Sequence, residues 1–278
     1  MENDNLMRKL RKERNISQKY MAGDSYSRDS IYRFEKKKSN ISLDMFFHYL
    51  DRMNISLEEY AAYHSRGIPS VKEALQENFS MKILDKKTGD DYLQDLYSEY
   101  NTSNDIYYLY LYSLGRILRH KINNLPFDLS KEIQIIKQHL DKVESWGFFE
   151  FMMYANTFFL FKDSYIRQNY SSIIKKFNSF PHSSKFQHLK IRFLINSLTL
   201  AFERKQLEMI DLYLIELFNS TENSDYILGR IFWKFFDGLN RTVQHGQPFD
   251  TETTYSWLRS LGYTQLAENF LEIEKIFQ

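Results

Sequence analysis

Between Leu6 and Tyr60 the chain places helix caps and apolar residues at spacings that suit a bundle of very short helices. In N5-L-M-R-K-L-R-K-E-R14, Leu6 and Leu10 form an apolar stripe one turn apart. Ile16 then stands as a staple residue before Ser17, whose hydroxyl can take a free backbone N–H and open a second helix. Gly23 supplies the turn that ends it. Ser27 caps a third helix with Ile31 and Phe34 three apart on its inner side. The outer side holds Arg28, Asp29, Tyr32, Arg33 and Lys36. In I41-S-L-D-M-F-F-H-Y-L-D-R-M53, Leu43, Phe46, Phe47 and Leu50 fall at helical spacing. Ser56-Leu57-Glu58-Glu59 reads as a capping box for a fifth helix.

A short helix that buries one side and carries arginine on the other suits the major groove of DNA. Charge agrees with this. Residues 7–38 hold eleven Lys/Arg and four acids, a net +7, although the whole chain is only +1 and the remainder must therefore be −6. Phosphate attraction is concentrated at one end. Arg28, Tyr32 and Arg33 are the expected base readers, beside Ser27 and Asp29. Gln18, Lys36, Lys37 and Lys38 are the expected phosphate contacts. The five-helix order resembles the lambda-repressor-like, xenobiotic-response-element class of DNA-binding domain over about residues 5–63. The turn G23-D-S-Y-S27 is about one residue shorter than that pattern, and Tyr26 occupies its apolar place before the third helix.

After residue 70 the pattern stays helical. Four prolines and nine glycines punctuate all 278 residues, and strand-type alternation is nowhere sustained. Ile133, Ile136, Leu140 and Val143 repeat at helical spacing, as do Leu207, Ile210, Leu214 and Leu217. About ten helices are expected. The strings Y-A-N-T-F-F-L-F (154–161) and L-I-N-S-L-T-L-A-F (194–202) align on Asn156 and Asn196, forty residues apart, and F-F-D-G-L-N (235–240) is a weaker third copy at Asp237. That period fits a helix-pair solenoid with degenerate tetratricopeptide-like repeats. The expected fold is therefore all-α. Residues 1–64 form a helix-turn-helix domain and 65–70 a linker broken by Gly67 and Pro69. Residues 71–278 form a helical-repeat domain for ligand binding and dimerisation.

A solenoid offers a concave surface suited to a peptide. Asparagine is disfavoured inside a helix, and its amide can pair with both a peptide N–H and a peptide C=O. Asn156 and Asn196 are accordingly the candidates for a peptide backbone. Arg192, one turn before Asn196, and Arg230, in an otherwise apolar helix, are candidates for a carboxylate, with an internal ion pair to an acid such as Glu150 as the alternative. Phe193 and Phe232 would supply apolar wall.

From end to end the chain resembles the Rgg/GadR/MutR transcriptional regulators, which stand with the PlcR-like and PrgX-like peptide-responsive regulators. The repressor-like head, the degenerate helix pairs and the string E144-S-W-G-F-F-E-F-M-M-Y-A-N-T-F-F-L-F161 carry the resemblance, above all Trp146, Glu150 and Asn156. It implies a homodimer that binds double-stranded promoter DNA and senses a short hydrophobic signalling peptide. Two other readings stay open: a helical-repeat interaction scaffold, and a regulator without a peptide.

Other classes find little support. With no cysteine there is no thiol nucleophile, thiolate metal site or disulfide between subunits. No nucleotide-binding, hydrolase or metalloprotease motif occurs, so no enzyme activity, cofactor or metal is expected. Arg116 interrupts the apolar run 106–118, and Glu150 and Asn156 interrupt 146–161. No membrane span is expected, and the charged start without an apolar core suggests a cytoplasmic protein.

Overall fold

The computed structural model describes residues 3–37, 39–123, 128–180, 183–247 and 249–277, and it contains helices and no strand among them. The chain divides into two compact units, Met1–Gly89 and Asp90–Gln278.

The first unit holds six helices: α1 (Asn3–Glu13), α2 (Gln18–Ala22), α3 (Arg28–Lys37), α4 (Leu43–Arg52), α5 (Leu57–Ser65) and α6 (Val71–Leu84). Leu6, Met7, Leu10, Met21, Ala22, Ile31, Phe34, Tyr49, Leu50, Met53, Ile55 and Tyr60 make one buried cluster, with Ile16, Tyr26 and Phe46 against it. Serine caps act as the spacing predicts. Ser17 accepts from the Tyr20 N–H and Ser27 from the Ser30 N–H, both at 3.1 Å. Two expectations shift. Leu43 and Phe47 are exposed at 67% and 46%, and Tyr49 is buried in their stead, so α4 turns a different face inward. Ser56 does accept the Glu59 N–H, but the Glu59 carboxylate meets Arg14 at 3.0 Å. The reciprocal box forms instead at Ser70 and Glu73, where α6 begins. Segment 65–70 contains two left-handed residues, Arg66 and Gly67, before that cap.

The second unit consists of α7 (Gly89–Ser103), α8 (Ile106–Asn123), α9 (Ser130–Lys142), α10 (Phe148–Thr157), α11 (Asp163–Asn178), α12 (Ser184–Glu203), α13 (Leu207–Ser220), α14 (Ile227–His245), α15 (Thr251–Ser260) and α16 (Thr264–Phe277). Chain neighbours pair, as in α8 with α9, α12 with α13, and α15 with α16. Alternate helices also pack, α12 lying against both α10 and α14. The forty-residue period in the sequence is the spacing between these alternate helices, so Asn156, Asn196 and Asp237 sit on α10, α12 and α14 in turn.

Aromatic rings fill the middle of this unit. Phe151 stacks on Phe177 at 4.1 Å, and Tyr154 and Phe158 pack on Phe193 at 5.7 and 5.4 Å. Trp146 is buried and donates its indole N–H to the Leu140 carbonyl at 3.1 Å. Glu150 closes the start of α10 by accepting the Gly147 N–H at 2.9 Å, with His139 3.2 Å from its other oxygen. Both residues that mark this string in the sequence thus do structural work.

Candidate functional site

The outward row of α3 is built by what the helix buries. Ile31, Phe34 and Glu35 face inward, and Arg28, Asp29, Tyr32, Arg33 and Lys36 are left exposed. Only a weak tie restrains Arg33, whose Nε donates to the Asp29 carbonyl at 3.4 Å. Ser27 engages its hydroxyl with Ser30 and serves as the cap. The side chain of Lys37, and Lys38 altogether, lie outside the described residues.

Gln18 departs from its expected place. Its amide donates to Glu35 at 2.9 Å and so points into the fold instead of toward a phosphate. Glu35 is 3% exposed and Arg11 8%. They form a two-pronged pair, Nε to Oε1 and Nη2 to Oε2, both 2.6 Å. A third Arg11 N–H donates to the Ile16 carbonyl at 2.7 Å. This network joins α1, α2 and α3. Nothing in the sequence separates Arg11 from the exposed lysines and arginines around it.

The short turn before α3 is held from α4. Tyr26 packs edge-on against His48 and Tyr49, with ring centres 5.0 and 6.1 Å apart. The His48 Nε2 lies 3.1 Å from both the Met21 and Ala22 carbonyls.

In the second unit the six expected ligand residues separate into two groups. Arg192 and Asn196 are exposed, one turn apart on α12, and bear no hydrogen bond or ion pair among the described residues. Asn156 is half-buried on the adjacent α10, and its amide donates to the Tyr110 hydroxyl at 3.0 Å. Burial pushes the pKa of that phenol up, against a smaller downward pull from the Asn156 bond.

The other three serve the fold. Phe193 is 1% exposed and lies in the aromatic core, so it forms no open wall. Phe232 is half-buried, its ring 4.6 Å from Phe270 of α16. Arg230 donates to the Thr221 carbonyl through Nε (3.2 Å) and Nη2 (2.9 Å), and to the Phe218 carbonyl at 3.0 Å. Its guanidinium lies 3.9 Å over the Phe218 ring. Arginine here closes the end of α13, where carbonyls lack intrahelical partners. Its partners are carbonyls and not the acid considered from the sequence, because the nearby chain end supplies them first.

No helix among the described residues is long and apolar enough to cross a membrane, and none of them form a three-residue metal-binding cluster. Residues 7–60 match a helix-turn-helix family model. Residues 90–272 match the C-terminal domain of the HTH-type transcriptional regulator Rgg. The chain belongs to the Rgg family.

Solved structures agree on the fold over the whole length. The Rgg2 SHP pheromone receptor of Streptococcus dysgalactiae is 17% identical, with 99% of this chain and 100% of that one covered at a TM-score of 0.75. The PrgX/cCF10 complex is 14% identical, with 99% of each chain covered at a TM-score of 0.73. The family member described here is thus a helix-turn-helix transcriptional regulator with an all-α body.

Proposed function

We propose that this regulator reads promoter DNA through α3 as a cytoplasmic homodimer, and that a short hydrophobic signalling peptide bound to its body controls it. The observation that carries the DNA half is the row Arg28, Tyr32, Arg33 and Lys36, exposed along one face of a helix whose opposite face is buried. Residues 1–64 serve DNA, and 71–278 serve the ligand and the dimer. Two heads are needed because one recognition helix contacts too few bases for useful selectivity.

The peptide half is supported by the related structures, which include a pheromone receptor and a PrgX/cCF10 complex. Arg192 and Asn196 supply unengaged polar groups on α12 for a peptide carboxylate and backbone, and the Asn156 carbonyl oxygen on α10 is a further acceptor. A fluorescent peptide titrated by polarisation should bind at least about tenfold more weakly to Arg192→Ala/Asn196→Ala than to wild type, since each lost charge-assisted bond costs ~1.5–3 kcal/mol. Equal binding places the pocket elsewhere.

For the head, Arg33→Ala should cost roughly 1–3 kcal/mol on specific DNA and relax the preference at one base pair. Lys36→Ala should weaken all duplexes alike and reduce the salt dependence by about one phosphate contact. Electrophoretic titration at several salt concentrations checks both. An Arg33→Ala protein that is folded and keeps full specific affinity removes α3 as the reader.

A further inference from the structure

The five-residue α2 is too short to hold its own geometry, and its last carbonyls are collected from outside. Gly23, at φ +59°, returns its N–H to Lys19 and Tyr20. The remaining partners come from α4. Arg52 donates Nε and Nη2 to the Tyr20 carbonyl at 2.9 and 2.7 Å, and its guanidinium lies 3.9 Å over the Tyr20 ring. His48 sits 3.1 Å from the Met21 and Ala22 carbonyls. A Cβ on Gly23 would stand 3.5 Å from the His48 ring, in ordinary contact, so the turn and the ring already fit closely. Only four residues, 24–27, separate this clamp from the first residue of α3, and one of them, Tyr26, packs on the same His48.

We propose that Arg52, with His48, is a positioning residue for DNA reading: it fixes the end of α2 from α4 and thereby sets the angle at which α3 meets the bases. The exposed row of α3 does the contacting; Arg52 itself touches no base. The same clamp explains how a turn one residue shorter than the lambda-repressor-like pattern is accommodated. Lysine cannot replace arginine here, because the site uses two N–H groups on one oxygen and a flat face on a ring.

This inference rests on the reading of α3 as the base-contacting helix, and the test separates the two. Full-length wild type, Arg52→Ala, Arg52→Lys and Arg33→Ala are compared on a duplex that wild type has enriched from a random pool, and on a mixed-sequence competitor duplex. Arg52→Ala and Arg52→Lys should each lose about tenfold in affinity for the enriched duplex, as expected for a charge-assisted bond. Affinity for the competitor and its salt slope should not change, and the melting curve should stay within a few degrees. A salt slope lowered by about one, with both duplexes weakened alike, makes Arg52 a phosphate contact and overturns the proposal. Unchanged selectivity in both Arg52 variants overturns it as well. Arg33→Ala with full selectivity, beside Arg52 variants of any behaviour, defeats the α3 reading itself.

Discussion

Arg11→Met should destabilise the head by about 3–5 kcal/mol, the cost of leaving a buried charge without its partner. Glu35 is 3% exposed, and Arg11 supplies two of its hydrogen bonds at 2.6 Å. After the substitution Glu35 keeps only the Gln18 amide. It must then be charged in an apolar surrounding or take up a proton, and either course disfavours the folded state. For a domain of this size the loss corresponds to a fall of more than ~10 °C in the head's melting transition by circular dichroism. Arg11→Met/Glu35→Leu should recover part of it, since a packed apolar pair removes the stranded charge. A single variant melting within a few degrees of wild type would show that Glu35 finds water or another donor. The same experiment bears on function, because this network fixes α3 against α1 and α2.

Phe193→Ala should cost about 3–5 kcal/mol, the range for removing a buried aromatic and leaving a cavity. Phe193 is 1% exposed, with Phe177, Tyr154 and Phe158 ring centres 5.8, 5.7 and 5.4 Å away. The neighbouring Arg192 is exposed, and Arg192→Ala should leave the melt within about 0.5 kcal/mol of wild type. Two adjacent positions thus separate stability from ligand binding. Phe193→Ala should lower the melting point of the body whether or not peptide is present. Arg192→Ala should change only the peptide titration. A Phe193→Ala protein with wild-type stability and no peptide affinity would return that ring to the binding wall.

The helices of the head were legible because their signals are local. A serine hydroxyl reaches a backbone N–H three residues on, and the sequence states both ends of that bond. The exposed row of α3 follows from the positions of Ile31 and Phe34 for the same reason. The partner of a long polar side chain is not local. Arg11 lies 24 residues from Glu35, and Arg230 reaches back to Thr221 and Phe218 across a chain turn. Composition reads all such arginines as surface charge, and the structure turns two of them inward. Phe193 was misplaced for a related reason. A period of 3.6 locates a face but does not say whether another layer covers it, and here α12 lies between α10, α13 and α14.

The body shows the other side of this. Its forty-residue echo was faint in residue identity, yet it marks the packing of alternate helices. Asn156 and Asn196 occupy equivalent places on α10 and α12 and still differ in state: one is bonded to Tyr110, and the other is unengaged among the described residues. Equivalent positions in a degenerate repeat share geometry before they share chemistry.

The central claim is that α3 reads bases in a paired head. Selection of bound duplexes from a random-sequence pool by the full-length protein, followed by sequencing, tests it most directly. The expected outcome is a pseudo-palindromic motif whose half-site centres lie about 10 base pairs or a multiple apart. A pool enriched without any motif, or a single unpaired half-site bound one to one by a monomer, would contradict it.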